Sequence, residues 1–94
     1  MDHDLAHLEL TIRGRVQGVS FRYHAMAQAR RLGLTGRVRN HPDGTVHLRA
    51  EGHRPVLELL AAWATQGPDH ARVDGCEVCW SGAVGRWHDF QIDG

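Results

Sequence analysis

Not one of the 94 residues is lysine; the positive charge is carried by eleven arginines. That absence removes Schiff-base chemistry and the lysine-bearing loop of many nucleotide-binding proteins. No apolar run is long enough to span a bilayer. The start, Met1-Asp2-His3-Asp4, lacks the basic-then-apolar order of a signal peptide. A cytoplasmic location is therefore the default expectation. Cysteine is confined to Cys76 and Cys79, with no second pair to complete a zinc site. Formal net charge is zero, so no global field recruits nucleic acid or an acidic membrane, and neither is expected as a partner.

What is present suits a folded chain. Hydrophobic residues make up 41%, too many for a disordered protein and consistent with one packed core. No linker, repeat or low-complexity segment divides the chain, so one domain over residues 1–94 is expected, with residues 1–6 as a flexible tail and the molecule a monomer. The charge is unevenly spread. From Leu10 to Pro42 there are seven arginines and no acid; from Asp43 onward there are four arginines and eight acids. A basic block of that kind points to an anionic ligand.

The block contains Gly14-Arg15-Val16-Gln17-Gly18-Val19-Ser20-Phe21-Arg22. Before it, Leu8, Leu10 and Ile12 alternate with polar residues from His7 to Arg13, the period of a strand. After it, Phe21, Ala25, Ala29 and Leu32 recur at helical spacing. The connection between them places glycines and arginines at a helix start. Backbone N–H groups there lack intrahelical partners, and the dipole favours negative charge. Arg22 adds a planar cation whose fork matches phosphate oxygens.

Further along, the spacing predicts helix 1 to about Arg31, closed by Gly33, and strand 2 over Thr35 to Asn40. The run His41-Pro42-Asp43-Gly44 is a turn signal, and strand 3 follows over Thr45 to Ala50. Glu51-Gly52-His53 reads as a loop and Pro55 suits the first turn of helix 2. Val56, Leu59, Leu60 and Trp63 form that helix's apolar stripe, and Gly67-Pro68 stops it. Strand 4 is expected over Arg72 to Trp80 and a short last strand over Trp87 to Ile92. The order β-α-β-β-α-β predicts an α+β fold of the ferredoxin-like, split β-α-β kind. Both helices cover one face of a four- to five-stranded, mostly antiparallel sheet. Strands 1 and 2 then run parallel with strand 3 between them, which brings Asn40 beside the loop after strand 1.

The loop Gly14-Arg15-Val16-Gln17-Gly18-Val19-x-Phe21-Arg22 and the stretch Gly36-x-Val38-Arg39-Asn40-x-x-Asp43-Gly44-x-Val46 together resemble the two signatures of the acylphosphatase family. Leu32-Gly33-Leu34, Glu51-Gly52, Gly67-Pro68 and Phe90-x-Ile92 extend the resemblance over roughly residues 7 to 92. It implies hydrolysis of small-molecule acyl phosphates to a carboxylate and orthophosphate, without metal, cofactor or covalent intermediate. Orthophosphate is then product and inhibitor. The resemblance puts the catalytic arginine at Arg22 and the catalytic asparagine at Asn40. It puts the phosphate cradle on Arg15, Val16, Gln17, Gly18, Val19 and Ser20.

Rival readings are weaker. Ser20 and His24 stand four apart, but nothing in sequence orients His24 as a base, and a surface histidine is preferred. Asp2-His3-Asp4 lacks the hydrophobic strand that should precede a paired-aspartate site, so it reads as a terminal tail. Cys76 and Cys79, on a strand, should point to opposite faces and be structural. The eight histidines show no tight metal-ligand cluster along the chain, which leaves open a cluster that forms only on folding. The competing class is a non-catalytic phosphate, acyl-phosphate or RNA-binding module on the same fold. Its RNA form needs exposed aromatics on the central strands, and His7 to Arg13 and Thr45 to Ala50 contain none.

Overall fold

A computed structural model of the protein describes residues 4–94. Its elements are β1 (Leu5–Arg15), α1 (Phe21–Arg31), β2 (Thr35–Asn40), β3 (Val46–His53), α2 (Arg54–Ala64), β4 (Arg72–Gly82) and β5 (Phe90–Ile92). The five strands form one sheet in the order β4-β1-β3-β2-β5. All neighbours are antiparallel except β2 and β5. Both β1 and β2 pair antiparallel with β3, so they run parallel to each other with β3 between. This is the α+β, ferredoxin-like fold expected from the element order.

The alternation along each strand decides which face packs. Leu8, Leu10 and Ile12 of β1, Val46, Leu48 and Ala50 of β3, and Val38 of β2 are all buried. Phe21, Ala25 and Ala29 of α1 and Leu57, Leu60 and Ala64 of α2 complete that core. Small alanines on α1 let the helix lie close to the sheet, and the Phe21 ring meets Trp63 of α2 at 5.3 Å between centroids. A Schellman closure ends α1: Leu34 N–H bonds to the Ala29 carbonyl and Gly33 N–H to that of Arg30.

Several boundaries differ from the sequence reading, each for a tertiary reason. Strand β1 begins at Leu5, and Ala6 is buried, so the expected tail over residues 1–6 is already sheet at its end. Residues 1–3 lie outside the described residues, and with them most of the Asp2-His3-Asp4 reading. Glu51-Gly52-His53 is strand, not loop, because Leu5, Ala6 and His7 pair with it across the sheet. Glu51 is tolerated there, buried, because its carboxylate accepts from the His7 ring and from the N–H groups of Val84 and Gly85. Burial alone raises the Glu51 pKa, but those hydrogen bonds outweigh it and hold the group below its ordinary value. The same bonds draw residues 83–89 over the helix-free face, where Trp87 stacks on His7 at 5.7 Å. The last strand therefore begins only at Phe90.

On α2 the fully buried face is Leu57, Leu60 and Ala64, while Leu59 is 59% exposed, so the predicted stripe is rotated. Val56 and Trp63 flank the core instead of forming its centre. Strand β4 runs to Gly82, and its register opposes Cys76 to Ile12 and Cys79 to Glu9, on opposite faces as expected. Both cysteines are free.

The sheet is irregular where β1 approaches the first loop. Register against β4 shifts between Arg13 and Gly14, which marks a bulge. Gly14 has φ 131°, and a Cβ there would stand 2.1 Å from the Arg72 carbonyl oxygen and 2.8 Å from the Asp74 nitrogen. Neither backbone atom can move without breaking the ladder. Gly14→Ala is expected to destabilise the fold by about 3 kcal/mol from overpacking and an unfavourable φ. Denaturant unfolding checks this; an unchanged midpoint would show that the bulge relaxes freely.

Candidate active site

The bulge turns the chain out of β1 and into the loop over residues 16–20. Val16 is buried and anchors the loop's near end. Gly18 has φ 74° with open space around the missing Cβ, so the left-handed backbone is what requires glycine there. Ser20 also has positive φ, 62°, the one such non-glycine residue among the described residues. A serine held in that region costs about 1–2 kcal/mol, the kind of strain that gathers where a loop has a task. Ser20 precedes α1 at the N-cap position, yet its side chain makes no capping bond. No protein acceptor among the described residues takes the N–H groups of residues 17–20. Free donors of this kind, with the α1 terminus behind them, suit an anion.

Two functional side chains share a cleft beside this loop. Arg22, in the first turn of α1, and Asn40, the last residue of β2, line one cleft of about 340 Å³ with Val16, Gly18, Ser20 and Ile92. The parallel run of β1 and β2 is what brings them together over eighteen residues of sequence. The Gly94 oxygen accepts from Arg22 Nη1 and, at 3.0 Å, from the Asn40 backbone N–H. That contact uses one of five guanidinium donors and leaves the rest for a ligand. The Asn40 Oδ1 atom is buried and has no hydrogen-bond partner among the described residues. A buried amide oxygen without a partner is uncommon and fits an atom that meets water or ligand.

A tether fixes the loop against the next hairpin. Gln17 Nε2 donates to the carbonyl oxygens of His41 (2.7 Å) and Thr45 (2.9 Å), both in the β2–β3 turn. The turn itself is closed by His41 N–H to the Thr45 carbonyl at 2.9 Å. Asp43 Oδ1 accepts from Thr45 N–H and Oγ1 at 2.9 and 2.6 Å. Those two bonds, with His41 beside them, hold the Asp43 carboxyl at a pKa of about 2.

Of the residues singled out in sequence, Val16, Gly18, Ser20, Arg22 and Asn40 converge on the cleft. Arg15 does not; it still belongs to β1, opposite Arg72, so the loop proper starts at Val16. The Gln17 side chain points to the hairpin, and Val19 packs partly against the core. Among the described residues Ser20 makes no side-chain hydrogen bond to His24, whose exposed ring instead meets Tyr23 edge-on at 6.0 Å. The Gln17 tether, the Gly94 contact and Ile92 in the cleft wall were not foreseen. They depend on chain segments that lie far apart in sequence, and no local pattern signals them.

The family model described as acylphosphatase matches residues 8–92. The acylphosphatase of Anaeromyxobacter dehalogenans is 45% identical over 89 residues, spanning 95% of this chain and 96% of that protein. The crystal structure of acylphosphatase from Bacillus subtilis superposes with a TM-score of 0.91 at 31% identity, covering 95% of this chain and 99% of that one. An acylphosphatase structure from Coxiella burnetii gives a TM-score of 0.84 at 35% identity, covering 96% and 94%.

Proposed function

The chain belongs to the acylphosphatase family and has acylphosphatase function, and from that premise we propose how this cleft hydrolyses the carboxyl-phosphate bond. The phosphoryl group sits on the N–H groups of the 16–20 loop, and Arg22 binds its oxygens through the free edge of the guanidinium. Asn40 positions the attacking water: its Oδ1 accepts one water hydrogen and aims a lone pair at phosphorus. The water oxygen bonds to phosphorus as the bond from phosphorus to the acyl oxygen breaks. The electron pair leaves with the carboxylate, a good leaving group that needs little acid catalysis. Charge accumulating on the phosphoryl oxygens meets donors that are already in place. Asn40 is too weak a base to take the water's proton, so a phosphoryl oxygen takes it and orthophosphate departs.

The observation that carries this reading is the placement of Arg22 and the partnerless Asn40 Oδ1 in one cleft with the free loop N–H groups. Among the described residues the cleft lining offers no carboxylate, imidazole or thiolate to ligate a metal ion. Hydrolysis of a simple aryl acyl phosphate tests it. Activity is expected to persist undiminished in chelator and to be inhibited competitively by inorganic phosphate. Loss in chelator overturns the metal-free mechanism; inhibition by phosphate that is absent or not competitive removes the phosphate from this loop.

A further inference from the structure

Beyond the cleft, the β2–β3 hairpin gathers three side chains that the reaction does not use. One ligand atom each from His41, Asp43 and His47 lies within 4.8 Å of the other two. The imidazoles of His41 and His47 stack at 4.5 Å between centroids, 12° from parallel. His47 alternates with buried Val46 and Leu48, so it stands on the helix-free face, away from the cleft. It makes no side-chain hydrogen bond among the described residues, and Asp43 Oδ2 has no partner there either. Asp43 Oδ1 is held by Thr45, which fixes the carboxylate in orientation.

We propose that His41, Asp43 and His47 form a binding site for a divalent transition-metal ion of the zinc, nickel or copper kind. Two imidazoles and one carboxylate are a donor set these ions favour, whereas magnesium and calcium seek oxygen shells. All three ligands come from one turn of seven residues, so assembling them closes only a short, already ordered loop. Both rings are only half-buried and can turn from the stack to converge on an ion at about 2.0–2.1 Å. The hydrogen bonds from Thr45 to Asp43 supply the outer support that orients a ligating carboxylate. Arg39 stands opposite His47 in the register, and its charge opposes any cation. That repulsion weakens every divalent ion alike, so binding here rests on imidazole coordination and not on net charge. The proposed hydrolytic mechanism uses none of these three side chains, although the Gln17 tether joins their hairpin to the 16–20 loop.

Zinc titration of the full chain by calorimetry at neutral pH, read alongside the imidazole signals in nitrogen-15 spectra, tests the site. One ion per chain is expected, with the His41 and His47 ring signals moving together as it binds. His47→Gln and His41→Gln are each expected to weaken binding about tenfold or more, and the double variant to abolish it. The wild-type ring shifts do not depend on the variants folding. Equal binding by wild type and double variant, movement confined to other histidines such as His24 or His70, or no binding at millimolar zinc would each overturn the proposal.

Discussion

Arg22→Ala is expected to lower kcat/KM for acyl phosphate hydrolysis by about 10³- to 10⁴-fold, or roughly 4–5 kcal/mol of transition-state stabilisation. The reason is geometric. In the proposed mechanism the loop N–H groups hold the phosphoryl group in the ground state, and only the guanidinium brings a full positive charge to its oxygens in the transition state. Arg22→Lys restores the charge without the planar fork and is expected to recover only part of the loss. The side chain is half-exposed at a helix start, and among the described residues its one hydrogen bond is to the Gly94 oxygen. Circular dichroism and the thermal midpoint should therefore stay close to wild type, apart from what that contact contributes. Near-normal turnover by a folded Arg22→Ala protein would remove Arg22 from the mechanism.

Asn40→Ala is expected to separate chemistry from binding. If Asn40 acts on the water, kcat falls about 10²- to 10³-fold while KM and the inhibition constant for phosphate change little. A fall in phosphate affinity equal to the fall in rate would instead make Asn40 a phosphate ligand. The substitution also deletes the one buried side-chain atom that lacks a partner among the described residues. Removing a desolvated, unsatisfied oxygen relieves a cost, so stability is expected to hold or rise slightly. An active site that loses rate and keeps or gains stability on truncation carries a group placed for function and not for the fold. Asn40→Asp keeps the shape but sets a negative charge beside the phosphoryl group, and is expected to weaken phosphate binding as well as rate.

The two effects should be strongly non-additive. In the proposed mechanism both residues act on one transition state, Arg22 on the phosphoryl oxygens and Asn40 on the incoming water. A double variant is expected to retain only what the loop N–H groups supply, and to fall well short of the product of the single losses.

Much of this was legible before any coordinates. Period-two alternation in His7 to Arg13 and helical spacing from Phe21 marked β1 and α1, because those patterns follow from where successive side chains point. The turn at His41-Pro42-Asp43-Gly44 was local chemistry, and the structure closes it with local bonds. Arg22 and Asn40 stood out through two signatures whose spacing the β-α-β crossover makes meaningful. The readings that failed were those in which a distant segment overrules the local pattern. Glu51-Gly52-His53 looks like a loop until Leu5 to His7 pair with it and the 84–85 amides satisfy its carboxylate. Leu59 looks like core until the sheet fixes the rotation of α2.

By itself, then, the sequence determined the element order and the parallel pair of strands through side-chain period, turn chemistry and the crossover rule, and it marked the residues proposed to meet an anion through the two signatures. Tertiary structure alone decided how the loop is held and what surrounds it. The Gln17 tether and the Gly94 contact arise from how separate backbone segments and side chains settle against one another. Such contacts are set by packing and strand register, which the whole chain fixes together and no short stretch encodes.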